Sequence, residues 1–393
     1  MTTVPGTARP LLYLAGFFLN LQVALVAYVS SSFLAELVGS NRVGLIYTLA
    51  SVASLLMSLA LIAWERRYGL STLFHYGLWL CLLALGPLIF SRSATLVLPA
   101  FILFYSLGFF LRLILDLELE SWSDNPHTGT IRGLFLTIIN LAWLISPMIA
   151  GWLVADQLYD RLYLVAAGVL LPVIFISQKS IFRAGVTPRA RAAHSWPNIV
   201  MSVVRGTSQK LKNIRRVLAA QFLLNFFYAI MVIYTPIYLH EYLAFSWPEI
   251  GIILTIMLLP FVLLEYPLGW LADHKWGEKE LLIGGFIIAG LATTLIPIFP
   301  SLTVLGWGLI LFLTRVGASA IESMSEIYLF KQLQTGDIGI IGLSRMMYPL
   351  AYLVAPLVAS LVLTLYSFNT LYYFLGMVMF GGIIITSRLE DTK

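Results

Sequence analysis

The sequence predicts an all-α polytopic membrane protein with twelve transmembrane helices in two parallel six-helix repeats. Three observations predict it: an apolar composition, twelve continuous apolar runs, and a self-match between the halves of the chain. Of 393 residues, 60% are hydrophobic and 11% charged, against about 25% charged in a soluble domain. Mean hydropathy is +0.90. Too few polar residues remain to cover a soluble surface, and no long polar stretch is available for an ectodomain. The runs are continuous rather than alternating with period two, which argues against a membrane barrel.

A helix that crosses a bilayer takes about 20 residues. Apolar runs between polar punctuation place spans at 11–34, 43–64, 71–90, 95–117, 131–154 and 161–178 in the first half. The second half supplies 217–239, 249–271, 280–299, 302–328, 339–365 and 369–387. The opening residues MTTVPGTARP lack a basic n-region followed by a short apolar stretch and cleavage site, so the first run is expected to be a retained span. The long connection, 179–216, carries nine Lys/Arg and no acid. It divides the chain into an N-terminal bundle, 1–178, a basic linker, 179–216, and a C-terminal bundle, 217–393.

Basic residues are retained in cytoplasmic loops. With the N-terminus inside, 18 of the 24 Lys/Arg fall in inner loops or termini, and only Arg42, Arg92 and Arg161 fall outside. Both termini are therefore expected in the cytoplasm, in a cytoplasmic (plasma) membrane. The net charge of +5 is explained by this asymmetry and by anionic lipid at the linker, so no nucleic-acid partner is expected. Cys81, alone in an apolar run, excludes an intrachain disulfide or a cysteine-based zinc site.

The second half repeats the first. At a shift of 205, Phe17, Leu19, Asn20, Ala24, Leu34 and Glu36 meet Phe222, Leu224, Asn225, Ala229, Leu239 and Glu241. At 208, Glu65-Arg66-Arg67-Tyr68-Gly69 meets Asp273-His274-Lys275-Trp276-Gly277. At 209, Gly133, Leu134, Leu141, Ala142, Leu144, Pro147 and Ala150 meet identical residues between 342 and 359. Apolar segments match by composition alone, but coinciding Asn, Glu, Gly and Pro in one order do not. Six spans per half is an even number, so the repeats share one orientation, related by an axis along the membrane normal.

On these features the chain resembles the major facilitator superfamily of secondary transporters. The family's signature after the second and eighth spans is roughly G-x-x-x-D-R/K-x-G-x-R/K. The second half has Gly269, Asp273, Gly277 and Lys279, with one extra residue before Gly277; the first has Leu61, Glu65, Arg66 and Gly69. Where the family's antiporters carry Gly-Pro and then paired glycines, this chain has Ser146-Pro147 and Ala150-Gly151. Arg112 matches the family's fourth-span arginine without the Gln-Gly that follows it. The resemblance implies alternating access, with the halves rocking about a midplane site. It also implies a cytoplasmic latch at the Glu65-Arg66 and Asp273-Lys275 loops.

No Walker loop, HExxH, GxSxG or EF-hand loop appears, so no cofactor, metal or ATP-driven chemistry is expected, and energy would come from an ion gradient. Polar groups deep in a span mark either a pathway or a packed interface. Asn20, Gln22, Asn140 and Asn225 carry both readings. Tyr228 and Tyr352 line a cavity or sit at a span end. Glu265, eight residues before Asp273, lies about 12 Å inside span 8 at 1.5 Å per residue. It exchanges a proton with each side in turn, as the coupling acid, or pairs with Arg315 in span 10, and the two readings are compatible. Arg315 could instead face an anionic substrate.

Arg112, Asp116 and Glu120 share one helical face near the inner end of span 4, with Arg132 opening span 5. Glu322, Glu326 and Arg345 form the counterpart in the second half. Both sets are expected to gate the inner side, together with Glu65, Arg66, Asp273 and Lys275. A cavity offering amides and tyrosines but few charges suits an uncharged or amphiphilic small molecule, moved by a monomer with H+ as a candidate partner. The competing readings are a lipid-modifying membrane enzyme, for which Asp116, Glu118, Glu120, Asp124 and His127 are the only acid cluster, and a solute sensor.

Overall fold

The computed structural model describes residues 8–121, 128–178, 196–333 and 338–390. Among these residues every regular element is helical, and twelve helices are long and apolar enough to cross a membrane. The first half contains α1 (Ala8–Ala27), α2 (Ser30–Val38), α3 (Ser40–Tyr68), α4 (Leu70–Phe90), α5 (Ala94–Ser121), α6 (Thr128–Leu153) and α7 (Tyr159–Ser177). The second contains α8 (Trp196–Arg205), α9 (Gln209–Ile237), α10 (Trp247–Leu263), α11 (Glu265–His274), α12 (Glu278–Leu295), α13 (Val304–Gln332), α14 (Ile338–Leu365) and α15 (Phe368–Thr386). The twelve expected spans are all present.

Their boundaries differ in three places, each with a local cause. The first span splits at Tyr28–Val29 into α1 and α2, where Val29 N–H turns back to the Val26 carbonyl. Basic residues assigned to the linker, among them Lys210, Lys212, Arg215 and Arg216, belong to the opening turns of α9, and 196–205 is itself helical. Span 8 is interrupted at Leu264. Pro267 supplies no N–H, and its ring crowds the carbonyl four residues back, at Leu263; α10 ends there and α11 restarts with Glu265.

Turns follow the same chemistry. Gly39 and Gly69 adopt φ of +85° and +79°, a region costly for residues with a Cβ, and their N–H groups close onto Ala35 and Glu65. Gly69 is the signature glycine of the first half. Its counterpart Gly277 has φ −77° and precedes α12 in an extended conformation, so the two halves turn differently at the same acid-to-glycine spacing.

The chain packs as two units: Met1–Val186 with Ile233–Thr255, and Thr187–Val232 with Ile256–Lys393. In the first, α1 packs on α6 and α7, α3 on α5, and α4 on α5 and α7. In the second, α12 packs on α13 and α15, α11 on α13, and α14 on α15. Small residues allow the closest approaches, as expected between helices in lipid. A Cβ on Gly317 of α13 would stand 2.4 Å from the Ala289 nitrogen and 2.5 Å from the Gly285 carbonyl oxygen of α12. Large apolar side chains such as Leu83, Trp152, Phe175, Leu361 and Met377 are exposed, as a lipid-facing surface requires.

Candidate functional site

In the second unit, Arg315 occupies the middle of α13 and is 1% exposed. Its guanidinium carbon lies 5.1 Å from the centre of the Phe227 ring and 5.1 Å from that of Tyr228, both on α9. Its Nε and Nη1 are buried with no hydrogen-bond partner among the described residues. The expected pairing with Glu265 is not formed: among the described residues no carboxylate lies within ion-pair distance of Arg315.

Tyr228 faces two ways. Its ring stands beside Arg315, and its hydroxyl donates to Glu322 Oε2 at 2.7 Å. Glu322 lies two helical turns along α13 from Arg315, about 10 Å at 1.5 Å per residue, and it is exposed. It stands ten residues before the end of α13, about 15 Å along the helix. Glu326 and Glu265 are both within electrostatic reach of Glu322. Glu326 accepts from Arg345 Nη2 at 2.9 Å. Thus Glu322 and Glu326, which the sequence grouped with Arg345 as a gate, stand together with Tyr228, Arg315 and Glu265 in one charge set. Glu265 is half-buried at the first position of α11.

The asparagines behave as a repeated pair. Asn20 Nδ2 donates to the Gly16 carbonyl at 2.9 Å, and Asn225 Nδ2 donates to the Gln221 carbonyl at 2.7 Å. Each bonds one turn back on its own helix. Gln22 is fully buried and reaches Cys81 Sγ on α4 at 4.0 Å, a contact inside the first bundle. Asn140 is half-buried on α6. Tyr352 is buried on α14 and stacks on Tyr348 with centroids 4.4 Å apart.

Of the other gate residues, Glu65 and Arg66 close α3 before the Gly69 turn, and Lys275 lies 5.9 Å from the Trp270 ring centre. Arg112 donates through Nε to the Gly108 carbonyl at 3.2 Å, and Asp116 is exposed one turn further along α5. The side chains of Glu120, Arg132 and Asp273 lie outside the described residues, as do Asp124 and His127.

Sequence reasoning missed two arrangements. Gln221 accepts from Ser344 Oγ at 2.7 Å, joining α9 to α14; its position one turn before Asn225 was the available signal. In the first unit, the end predicted to face outward is tightly closed. A Cβ on Gly151 of α6 would lie 2.4 Å from the Trp247 carbonyl oxygen, and one on Gly251 of α10 would lie 2.7 Å from that of Pro147. Tyr159 donates to Glu36, and Ser40 donates to Glu241 at 2.9 Å, so both glutamates of the repeated Asn/Glu segment bond at this end. Nothing along the chain announces that 147–151 meets 247–251.

Twelve apolar helices in a duplicated six-helix plan define a polytopic membrane protein. Among the described residues no group of His, Cys, Asp or Glu is placed to hold a metal ion. The family model described as Major Facilitator Superfamily matches residues 12–329 and, separately, 217–392. The chain belongs to that superfamily. The fold is similar to the crystal structure of a mutant nucleoside transporter, NupG, with a TM-score of 0.78 at 10% identity. That likeness covers 97% of this chain and 99% of the other. A search of curated proteins found no match.

Proposed function

We propose that the chain is a secondary active transporter that moves a small solute by alternating access and couples it to protons through Glu265 and Glu322. The observation that carries this reading is Glu322. It is an exposed carboxylate deep within a spanning helix. A charge at that depth is too costly to face lipid, and by default marks an aqueous pathway. It shares a hydrogen bond with Tyr228 and stands in the field of Glu265 and Glu326, a setting in which gaining or losing a proton changes the local charge balance. Asn225, Gln221, Tyr348 and Tyr352 add amide and aromatic surface on neighbouring helices.

Reconstituted protein tests the coupling. The double variant Glu265→Gln/Glu322→Gln should keep solute exchange across vesicles and lose accumulation driven by a pH gradient, because glutamine mimics the protonated acid. Wild-type pH-dependent accumulation by that variant would remove both acids from the coupling. The solute panel should include nucleosides, the solutes named for the structurally similar transporter, beside sugars, amino acids and carboxylates. A chain that binds a solute and never moves it would be a sensor.

The proposed membrane is the cytoplasmic one, with both termini inside, on the strength of the Lys/Arg asymmetry. Cysteines at Ser93 and Ser246 in a Cys81→Ser background should react with an impermeant thiol reagent added outside intact cells, whereas one at Ser208 should not. Outside labelling at position 208 would reverse the orientation.

A further inference from the structure

A guanidinium in mid-span with no counter-ion among the described residues is an expensive feature. Burying an unpaired charge is costly, and cation–π contact offsets only part of that cost. Phe227 and Tyr228 therefore shelter Arg315 without neutralising it. Two of its nitrogens, Nε and Nη1, are enclosed and unpartnered among the described residues. Together Nε–H and an Nη–H form the fork that suits two oxygens of one carboxylate. Glu322, two turns away along α13, is linked to Arg315 through Tyr228.

We propose that Arg315 is the binding residue for the carboxylate of a monoanionic solute, and that this anion is loaded together with a proton taken up by Glu322. The proposal rests on the transport reading and names its substrate class. Arg315 and Arg345 stand with Glu322, Glu326 and Glu265 in one charge set. A carboxylate seated on Arg315 adds one negative charge, which a proton taken up from solution by Glu322 offsets. One anion and one proton enter, and the net charge of the site is unchanged. The groups that face Glu322 and set its response are Tyr228 on α9, Glu265 on α11, Glu326 on α13 and Arg345 on α14. Glu326 is held by Arg345, so Glu322 is the acid joined through Tyr228 to Arg315.

The test uses the purified full chain and a fixed set of probes: acetate, lactate, benzoate and phenylacetate, each beside its neutral amide. Binding is read by thermal shift and by titration calorimetry. At least one acid should bind while its amide does not, and its affinity should weaken as pH rises. Arg315→Gln should lose at least about tenfold in affinity, the least expected for a charged hydrogen bond, and Arg315→Lys should recover part of it. Glu322→Gln should bind the acid with little pH dependence. Tyr228→Phe, which keeps the ring and removes the hydroxyl, serves if Arg315→Gln does not fold; its binding should lose much of the pH dependence. The proposal is overturned if no acid binds, if acid and amide bind alike, or if Arg315→Gln and Arg315→Lys keep wild-type affinity. Acid binding without flux in vesicles would sink the transport reading and leave the role of Arg315 standing.

Discussion

Gly317→Leu should prevent the second bundle from forming. The position has no space for a side chain: the first added carbon would already overlap the Ala289 nitrogen and the Gly285 carbonyl oxygen, both backbone atoms of α12. A flexible neighbour could move aside, but backbone within a helix cannot. A Cβ on Gly285 would meet the same obstacle in reverse, 2.9 Å from the Gly317 carbonyl oxygen, so the two helices touch glycine to glycine. Prying them apart forfeits contact along their full length, for a cost of about 3 kcal/mol or more. The expected result is aggregated or proteolysed protein by size-exclusion chromatography; Gly317→Ala, whose single carbon already forces α12 and α13 slightly apart, should fold only with a strongly lowered Tm. A monodisperse Gly317→Leu protein with the wild-type Tm would show that α12 and α13 do not meet this closely. Arg315 is two residues away, so even the milder variant should disturb solute binding.

Gly251→Val should loosen the closed end of the first unit while leaving the fold intact. This contact involves the ends of α6 and α10, and one of its sides can withdraw without dismantling a bundle. Valine at 251 would press on the Pro147 carbonyl and the Met148 backbone. Overpacking strain of about 1–3 kcal/mol, applied only when the end is shut, shifts an open–shut equilibrium by about fivefold to somewhat over a hundredfold. A cysteine replacing Ala24, which lines the small pocket at this end with Trp247 and Gly251, reports the shift. Its labelling by a thiol reagent should accelerate by at least about fivefold in Gly251→Val, and turnover should fall. Unchanged labelling in a folded variant would mean that this contact does not open during transport.

The fold was legible because membrane helices announce themselves by composition and because the chain states its plan twice. Asn20 and Asn225 show how far the repeat reaches: matched by sequence, they make the same bond to the carbonyl four residues back. The site was legible only in its parts. Arg315, Glu322, Tyr228 and Glu265 stood out as polar residues in apolar surroundings, but their pairing depends on which helices touch. Arg315 and Glu265 looked like partners because opposite charges in neighbouring spans usually meet. Instead Phe227 and Tyr228 flank the guanidinium, and the acid bonded to Tyr228 is Glu322. The Gly151–Gly251 contact left no trace in sequence, since a small residue in a span is equally at home against a neighbour or facing lipid.

The interruption of span 8 at Leu264 has a consequence for where this protein can hold water. A continuous helix hides its amides from hydrocarbon, whereas a helix that stops and restarts presents carbonyls at one end and N–H groups at the other. Hydrocarbon offers neither a donor nor an acceptor, so broken backbone survives at depth only against protein or a hydrated lumen. Pro267 therefore does more than bend the chain. It leaves carbonyls at the end of α10 and N–H groups at the start of α11 to find partners in protein or water beside Glu265.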